Sequence, residues 1–326
     1  MEVIKVVNLK KYFPVQKSTI EVLLSKKIEY IRAVDNISFK MDRGEVLSLV
    51  GESGCGKTTT GRILVGLEKP TDGEILFKGK NLIKLDKEEF RKERRHLQMI
   101  FQDPYASLNP KMKIGEHLED PLVIHNIAEG EEAKELSLQM LERVGLVPAE
   151  QFYNRLPYQL SGAQRQRVAI ARAMILKPDF VVADEPVSMI DVSLRAAILE
   201  LLMSFKAEYS LSMLFITHDL SVARLVGDRI AVMYLGKIVE IGNTKEVIHN
   251  PRHPYTAALL SAVPSFLKRE INVEIIGDVA NPREIPSGCR YHPRCPFAKE
   301  DCKKYEPELE GKEHQFACHF PLDLRF

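Results

Sequence analysis

The run VLSLV at residues 46–50 leads directly into GESGCGKT at residues 51–58. A short, mostly apolar run that ends at a glycine is typical of a buried parallel strand. The next eight residues match the spacing G-x-x-x-x-G-K-[ST], and a helix is predicted from about Lys57 to Leu67. Strand, glycine-rich loop and helix in this order predict an α/β fold with a phosphate-binding loop at the end of a central strand.

Each part of this loop suits the binding of a nucleoside triphosphate. Glycines let backbone N–H groups surround phosphate oxygens without a clash from Cβ atoms, and the helix N-terminus adds favourable partial charge. The Lys57 ammonium can reach the β- and γ-phosphates, and the Thr58 hydroxyl can bind Mg²⁺. The residues expected to bind ATP here are Gly51, Ser53, Gly54, Cys55, Gly56, Lys57, Thr58 and Thr59.

A second buried strand, predicted at Phe180–Ala183, is followed by two carboxylates. Asp184 can hold Mg²⁺ from the side opposite Thr58. The adjacent Glu185 is placed to polarise an attacking water as a general base. Alone, two carboxylates after a strand most often mark a solvated strand end. Together with the loop at residues 51–58, they favour a catalytic role.

The sequence LSGAQ at residues 160–164 opens a helix that is predicted to end near Ile175. Ser161 and Gln164 have the spacing of a capping box, which satisfies free N–H groups at a helix start. A capped helix N-terminus with Gly162 beside it can also receive a phosphate group. The structural and the functional interpretation are compatible.

The remaining pattern predicts strands alternating with helices, and therefore a parallel α/β core. Further strands are expected at 2–8, 33–50, 73–77 and 213–216, a hairpin at 230–241, and a helical region at about 103–172. We divide the chain into a nucleotide-binding domain at residues 1–245 and a C-terminal segment at residues 246–326.

Composition argues against several classes of protein. Lys and Arg number 46 against 45 Asp and Glu, whereas a dedicated nucleic-acid-binding protein has a basic excess. No run approaches the roughly 18 apolar residues of a membrane-spanning helix. The first residues, MEVIK, lack the basic and apolar regions of a signal peptide. A cytosolic protein is expected, and other chains would supply any membrane-spanning part.

The C-terminal segment is rich in proline and contains four of the five cysteines: Cys289, Cys295, Cys302 and Cys318. In a reducing compartment such a cluster indicates a metal site before it indicates disulfides. Four cysteines can hold Zn²⁺ or an iron–sulfur cluster. The spacings of five, six and fifteen intervening residues lack the C-x₂-C element of a typical zinc site. Four free thiols are the third interpretation.

The order and spacing of the loop at 51–58, of LSGAQ and of Phe180–Glu185 resemble those of ABC transporter ATPases. The resemblance implies a P-loop NTPase (RecA-like) core with an antiparallel β subdomain, a helical subdomain at about 103–172 and a small Cys-rich C-terminal extension. It also implies that two such domains dimerise head to tail, so that each ATP is held by the phosphate loop of one chain and the LSGAQ helix of the other.

The same resemblance gives roles to single residues. Gln102 resembles the Q-loop glutamine, which binds Mg²⁺ and couples the site to the membrane subunit; His218 resembles the switch histidine, and Asp191 the D-loop aspartate. Phe13 resembles the aromatic residue that stacks on adenine, with Tyr12 as the alternative. One departure is Ala163, which replaces the usual second glycine of LSGGQ and could weaken the site that this helix completes.

PRHPYT at residues 251–256 and CRYHPRCP at 289–296 resemble the tail of dipeptide and oligopeptide transporter ATPases. This resemblance implies a [4Fe–4S] cluster on the four cysteines, with Zn²⁺ as the alternative. It implies a second, non-identical ABC ATPase subunit, two transmembrane permease subunits and an extracytoplasmic substrate-binding protein as partners. The chain would lie peripherally on the cytoplasmic face of the membrane.

Other functions stay open at this point. Relatives with such a tail also import oligosaccharides or nickel. A soluble ABC ATPase acting on nucleic acid or ribosomes would carry long coiled-coil insertions or two tandem ATPase domains, and the sequence contains neither. An electron-transfer protein would be favoured by a second cluster motif, which the sequence lacks.

Overall fold

The structure is a computed structural model, and it describes residues 1–15, 29–263, 273, 277 and 281–323. Most of the long connection between residues 14 and 31 lies outside the described residues. The strands are β1 Glu2–Pro14, β2 Tyr30–Asp42, β3 Val46–Val50, β4 Asp72–Phe77, β5 Lys80–Asn81, β6 Leu97–Ile100, β7 Phe180–Asp184, β8 Ser212–Thr217, β9 Arg229–Tyr234, β10 Lys237–Asn243 and β11 Gln315–Phe316.

The α-helices of the described residues lie between and after these strands. They are α1 Lys57–Leu64, α2 Lys87–Arg94, α3 Pro104–Ser107, α4 Ile114–Ile124, α5 Gly130–Arg143, α6 Ala149–Tyr153, α7 Gly162–Met174, α8 Val192–Tyr209, α9 Leu220–Val226, α10 Thr244–His249, α11 Pro254–Ser261 and α12 Glu300–Lys304. No helix among the described residues combines the length and apolar character needed to cross a bilayer.

The central sheet has the strand order β11-β10-β9-β3-β8-β7-β6. Its five strands from β9 to β6 pair in parallel, and β3, β7 and β8 are buried along their whole length. Strands buried on both faces read as continuous apolar runs, which is why they could be predicted. Because β6, β7 and β8 are neighbours, the residues that follow them meet at one edge of the sheet.

A second, antiparallel sheet has the order β2-β1-β4-β5, and its register pairs Val6 with Phe39 and Ile75. The predicted helical region at 103–172 is confirmed as helices α3 to α7. Their apolar faces pack together around Leu118, Leu141 and other fully buried side chains. Helix α7 also packs on β6, which joins the helices to the central sheet.

The C-terminal segment adds a strand to the central sheet. In β11, Gln315 and Phe316 pair antiparallel with Ile241 and Glu240 of β10, the predicted second strand of the 230–241 hairpin. Helices α10 and α11 follow β10 directly and contribute Val247, Ile248 and Tyr255 to a buried cluster.

Candidate active site

The loop between β3 and α1 is held in a conformation that requires glycine. Gly56 has φ +109°, and a Cβ atom there would lie 2.0 Å from the carbonyl oxygen of Ala33. The Lys57 side chain, 5% exposed, turns back into this loop, and its Nζ donates to the carbonyl oxygens of Gly51 at 2.7 Å and Glu52 at 2.9 Å. The loop therefore holds a buried cation against two of its own backbone carbonyl oxygens, at the place where the sequence predicts a phosphate site.

Thr58 and Asp184 meet although 126 residues separate them in sequence. The Thr58 hydroxyl donates to Asp184 Oδ1 at 3.1 Å, and Asp184 is 2% exposed. Burial raises the pKa of Asp184, and its hydrogen bond from Thr58 opposes that shift. A hydroxyl and a carboxylate oxygen at hydrogen-bond distance are hard donors of the kind that Mg²⁺ prefers, so these residues fit the expected ion.

Glu185 is the meeting point of two other predicted residues. Its Oε2 accepts from Gln102 Nε2 at 3.1 Å and lies 3.1 Å from His218 Nδ1. Gln102 lies just beyond β6, Glu185 directly after β7 and His218 directly after β8. The parallel sheet thus brings together the three residues that the sequence predicted to be catalytic. A carboxylate held by an amide and an imidazole can accept a proton from a bound water.

The backbone of Glu185 has φ +44°, which is uncommon for a residue with a side chain. Two groups hold this conformation: the Glu185 N–H donates to the carbonyl oxygen of Ile216 at 2.9 Å, and its own carbonyl accepts from Ser188 N–H at 3.1 Å and from Ser188 Oγ at 3.0 Å. Strained residues of this kind occur often at active sites, where neighbouring groups fix them.

The LSGAQ residues form the start of helix α7. Ser161 and Gln164 make both hydrogen bonds of the predicted capping box, at 3.3 Å and 3.0 Å. Ser161 is exposed and Gly162 is half-buried, so this helix start faces outward. The Ala163 methyl packs against the apolar cluster of helices α3 to α7 rather than standing free. Asp191, also exposed, precedes helix α8.

The two aromatic candidates for adenine stacking differ in their surroundings. The Tyr12 hydroxyl donates to Asp35 Oδ1 at 2.5 Å, and burial together with this bond raises the pKa of Tyr12 to about 12. Phe13 has the Lys11 ammonium 4.8 Å from its ring centroid. The Tyr12 ring also has a cation near it, with Arg32 Cζ 5.6 Å from its centroid, so the two rings are not separated by these contacts.

The Arg290 guanidinium anchors Asp35 from the C-terminal segment. It contacts Asp35 Oδ2 and the Leu235 carbonyl oxygen, and its Nε donates to Glu306 at 3.2 Å. The Arg290 and Asp35 side chains are 5% and 8% exposed. Burial alone would raise the pKa of Asp35, but the hydrogen bonds from Tyr12 and Arg290 outweigh it and hold this pKa below its ordinary value.

Replacement of Arg290 by methionine is expected to lower the free energy of unfolding by up to about 3–5 kcal/mol, because the buried Asp35 carboxylate would lose its buried ionic partner and keep only the Tyr12 hydroxyl and the exposed Arg32. Denaturant unfolding of the full chain measures this. Arg143→Met is the matched control, since its pair with Glu208 is exposed and should contribute at most about 1 kcal/mol. Similar losses in both variants would contradict the buried-pair interpretation.

The iron–sulfur prediction is wrong. Cys289, Cys295, Cys302 and Cys318 do line one small cavity together with aromatic and histidine rings. The described residues nevertheless contain no group of three or more His, Cys, Asp or Glu side chains arranged to hold a metal ion. The zinc alternative lacks a site for the same reason.

Two residues without a predicted role also reach the phosphate loop, and both contact Glu52. The Glu52 N–H donates to Tyr255 Oη, and the Glu52 carboxylate pairs with Arg294. No local pattern signals these contacts, because the partners lie 203 and 242 residues from Glu52 in sequence. Arg294 lies in the cysteine-containing stretch 289–296, in which only the cysteines were predicted to have a role.

Two family models match the chain. One describes the ABC transporter and covers residues 34–188; the other describes the C-terminal region of oligopeptide and dipeptide transporters and covers residues 239–302. The dipeptide transport ATP-binding protein DppF of Haemophilus influenzae is 48% identical over 93% of this chain and 91% of its own length. The chain belongs to the ATP-binding subunits of dipeptide and oligopeptide ABC transporters. It is an ABC-type ATPase.

Other relatives agree with this membership. The oligopeptide transport ATP-binding protein AppF of Bacillus subtilis is 45% identical over 96% of this chain and 95% of its own. Among solved structures, the ATP-binding cassette MJ0796, a dimer bound to ADP and phosphate, superposes with a TM-score of 0.64 at 32% identity. It covers 74% of this chain and 98% of its own, so the shared part is the ABC cassette fold. The nucleic-acid, ribosome and electron-transfer alternatives gain no support.

Proposed function

We propose that this chain hydrolyses ATP to drive the import of di- and oligopeptides through separate permease subunits. The main observation is the arrangement at the sheet edge, where Gln102 and His218 converge on Glu185 and the Thr58–Asp184 pair lies alongside. The likeness of residues 239–302 to the C-terminal region of peptide transporters supports peptides over oligosaccharides or nickel as cargo.

In this proposal the loop at 51–58 binds the phosphates through its backbone and Lys57. Thr58, Asp184 and Gln102 would hold Mg²⁺, which when bound neutralises charge on the phosphates. Glu185 accepts the proton of the attacking water, and His218 fixes the position of that carboxylate and contacts the γ-phosphate. Phe13 stacks on adenine.

The outward-facing start of α7 suits a second role. We assign Ser161, Gly162 and Gln164 to the ATP site of a partner ATPase subunit, a non-identical paralogue, with Asp191 at the shared interface. Residues 1–245 would form the nucleotide-binding domain, comprising a RecA-like core, an antiparallel β subdomain and a helical subdomain, with residues 246–326 as an extension. The other partners would be two permeases and an extracytoplasmic binding protein, with this chain on the cytoplasmic face.

Reconstitution tests this function directly. The chain, co-expressed with the products of neighbouring genes and placed in liposomes with the binding protein, should hydrolyse ATP several-fold faster when a dipeptide is added, and should accumulate labelled dipeptide. A disaccharide and Ni²⁺ serve as controls and should give no stimulation. Stimulation by either control but not by peptides would overturn the proposed cargo.

A further inference from the structure

The second residue of the phosphate loop is held from outside the loop, on both its backbone and its side chain. The Glu52 N–H donates to Tyr255 Oη at 3.0 Å. The Glu52 carboxylate accepts two hydrogen bonds from Arg294, from Nη1 at 2.7 Å and from Nη2 at 3.0 Å. This is the bidentate arrangement that gives an arginine–carboxylate pair both strength and fixed orientation.

The contact is shielded from water. The Arg294 and Glu52 side chains are 7% and 18% exposed, and Tyr255 is fully buried. The electrostatic attraction in a shielded ion pair is screened much less than in a surface pair. Loss of one partner therefore has a larger effect on the position of the other. The hydrogen bonds to Glu52 raise the pKa of Arg294, which keeps the guanidinium charged.

Two further tyrosines, Tyr234 and Tyr291, pack against Tyr255, and Tyr234 also lies near Arg294. The rings of Tyr234, Tyr255 and Tyr291 pack against one another with centroids 4.7–5.3 Å apart, and the Arg294 guanidinium lies 5.9 Å from the Tyr234 centroid. Cys289 and Cys295 pack at the edge of the same cluster. Packed aromatic side chains have few rotamers, so this cluster is a rigid base for the contact with Glu52.

The same stretch of the C-terminal segment also reaches the middle of the phosphate loop. Arg290, four residues before Arg294, contacts the carbonyl oxygen of Leu235. The next residue, Gly236, donates its N–H to the carbonyl oxygen of Cys55 at 2.9 Å. Residues 290 and 294 therefore hold the loop at two points, Glu52 directly and Cys55 through the β9–β10 turn.

Glu52 matters because of what its own carbonyl group does. That carbonyl oxygen, together with the one of Gly51, accepts the hydrogen bonds from Lys57 Nζ. A shift of Glu52 would displace an anchor of the lysine that faces the phosphates. An ion pair that served only to attach the C-terminal segment to the rest of the chain would not need Glu52 as its carboxylate.

We propose that Arg294 and Tyr255 are positioning residues for ATP hydrolysis, which hold Glu52 so that the phosphate loop and Lys57 are set for nucleotide before it arrives. The C-terminal segment is then a working part of the ATP site. Pre-set geometry of this kind is expected to lower KM, because less ordering is left for the nucleotide to impose.

The test uses the full chain in its assembled transporter, with ATP-analogue binding and steady-state hydrolysis as readouts. Arg294→Gln should raise KM for ATP and the analogue Kd about tenfold, with kcat changed by less than about threefold. Tyr255→Phe removes the hydroxyl but keeps the ring, and should raise KM about threefold. Because Arg294 acts through Glu52, the double variant Glu52→Gln/Arg294→Gln should be no worse than the worse single variant.

Arg252→Gln is the matched control, because it removes an arginine of the same segment whose carboxylate partner, Asp323, is outside the phosphate loop. Its KM should stay within twofold of the parent value. An unchanged KM in Tyr255→Phe and Arg294→Gln, or an equal rise in Arg252→Gln, would overturn the proposal. If Arg294→Gln does not fold, Tyr255→Phe alone decides. Failure of the parent chain to hydrolyse ATP would instead reject the assigned activity.

Discussion

Replacement of Glu185 by glutamine is expected to lower kcat for ATP hydrolysis by about 10²–10⁴-fold while ATP binding is retained. The amide has the shape of the carboxylate, and its oxygen can still accept from Gln102 Nε2, which lies 3.1 Å from Glu185 Oε2. It cannot accept a proton from water. The variant should therefore accumulate with ATP bound and, in the proposed assembly, with the two ATPase subunits closed together.

Single-turnover hydrolysis and retention of labelled ATP after gel filtration measure these two effects. In the proposed assembly, the corresponding glutamate of the partner ATPase subunit must be replaced in both samples, so that only this chain's site is compared. Glu208→Gln is the control, because its carboxylate pairs with Arg143 on an exposed surface and should leave both readouts unchanged. Normal turnover in Glu185→Gln would exclude this residue as the general base.

The site could be predicted from sequence to the extent that it is built from strand ends. Continuous apolar runs identify the buried strands β3, β7 and β8, and polar residues directly after them mark the sheet edge. The pattern of apolar runs does not show which strands are neighbours in the sheet. Gln102, Glu185 and His218 meet because β6, β7 and β8 are neighbours, and their proximity was expected only from the resemblance to ABC ATPases.

Contacts between distant segments could not be predicted. Arg294 reaches Glu52 and Arg290 reaches Asp35 across more than 240 residues, and nothing near either arginine specifies the partner. The prediction of a metal site on the four cysteines failed for a related reason. The four cysteines do line one cavity, but metal binding depends on the geometry in which their sulfur atoms converge, which spacing in the sequence does not specify.

Replacement of Asp184 by asparagine is expected to have opposite effects on activity and stability. Hydrolysis in Mg²⁺ should fall at least about 10²-fold, because the carboxylate that fits the ion is lost. The nucleotide-free chain should melt a few degrees higher, since the asparagine oxygen can still accept from Thr58 without a buried charge. Removal of a strained or buried catalytic charge often stabilises an enzyme.

The stability gain should depend on pH in a defined direction. Burial raises the pKa of Asp184, so the folded chain binds this proton more tightly than the unfolded chain does. The protonated carboxyl therefore contributes fully to the free energy of unfolding below the ordinary Asp pKa of about 3.9. That contribution is lost as the pH rises through the raised pKa of the folded chain. The amide of the Asp184→Asn variant cannot ionise, so the variant's advantage should be larger at pH 8 than at pH 4, close to the ordinary Asp pKa.

Thermal unfolding of the nucleotide-free parent and variant at these two pH values, with hydrolysis assayed in parallel, measures both effects. Asp72→Asn is the control, because the pKa of Asp72 is shifted in the opposite direction to that of Asp184. Asp72 is exposed, and its hydrogen bond with Lys10 lowers its pKa, so its loss should not raise the melting temperature at pH 8. A variant at Asp184 that melts below the parent at pH 8 would mean that the carboxylate stabilises the empty site, and that Thr58 and its neighbours offset the burial of its charge.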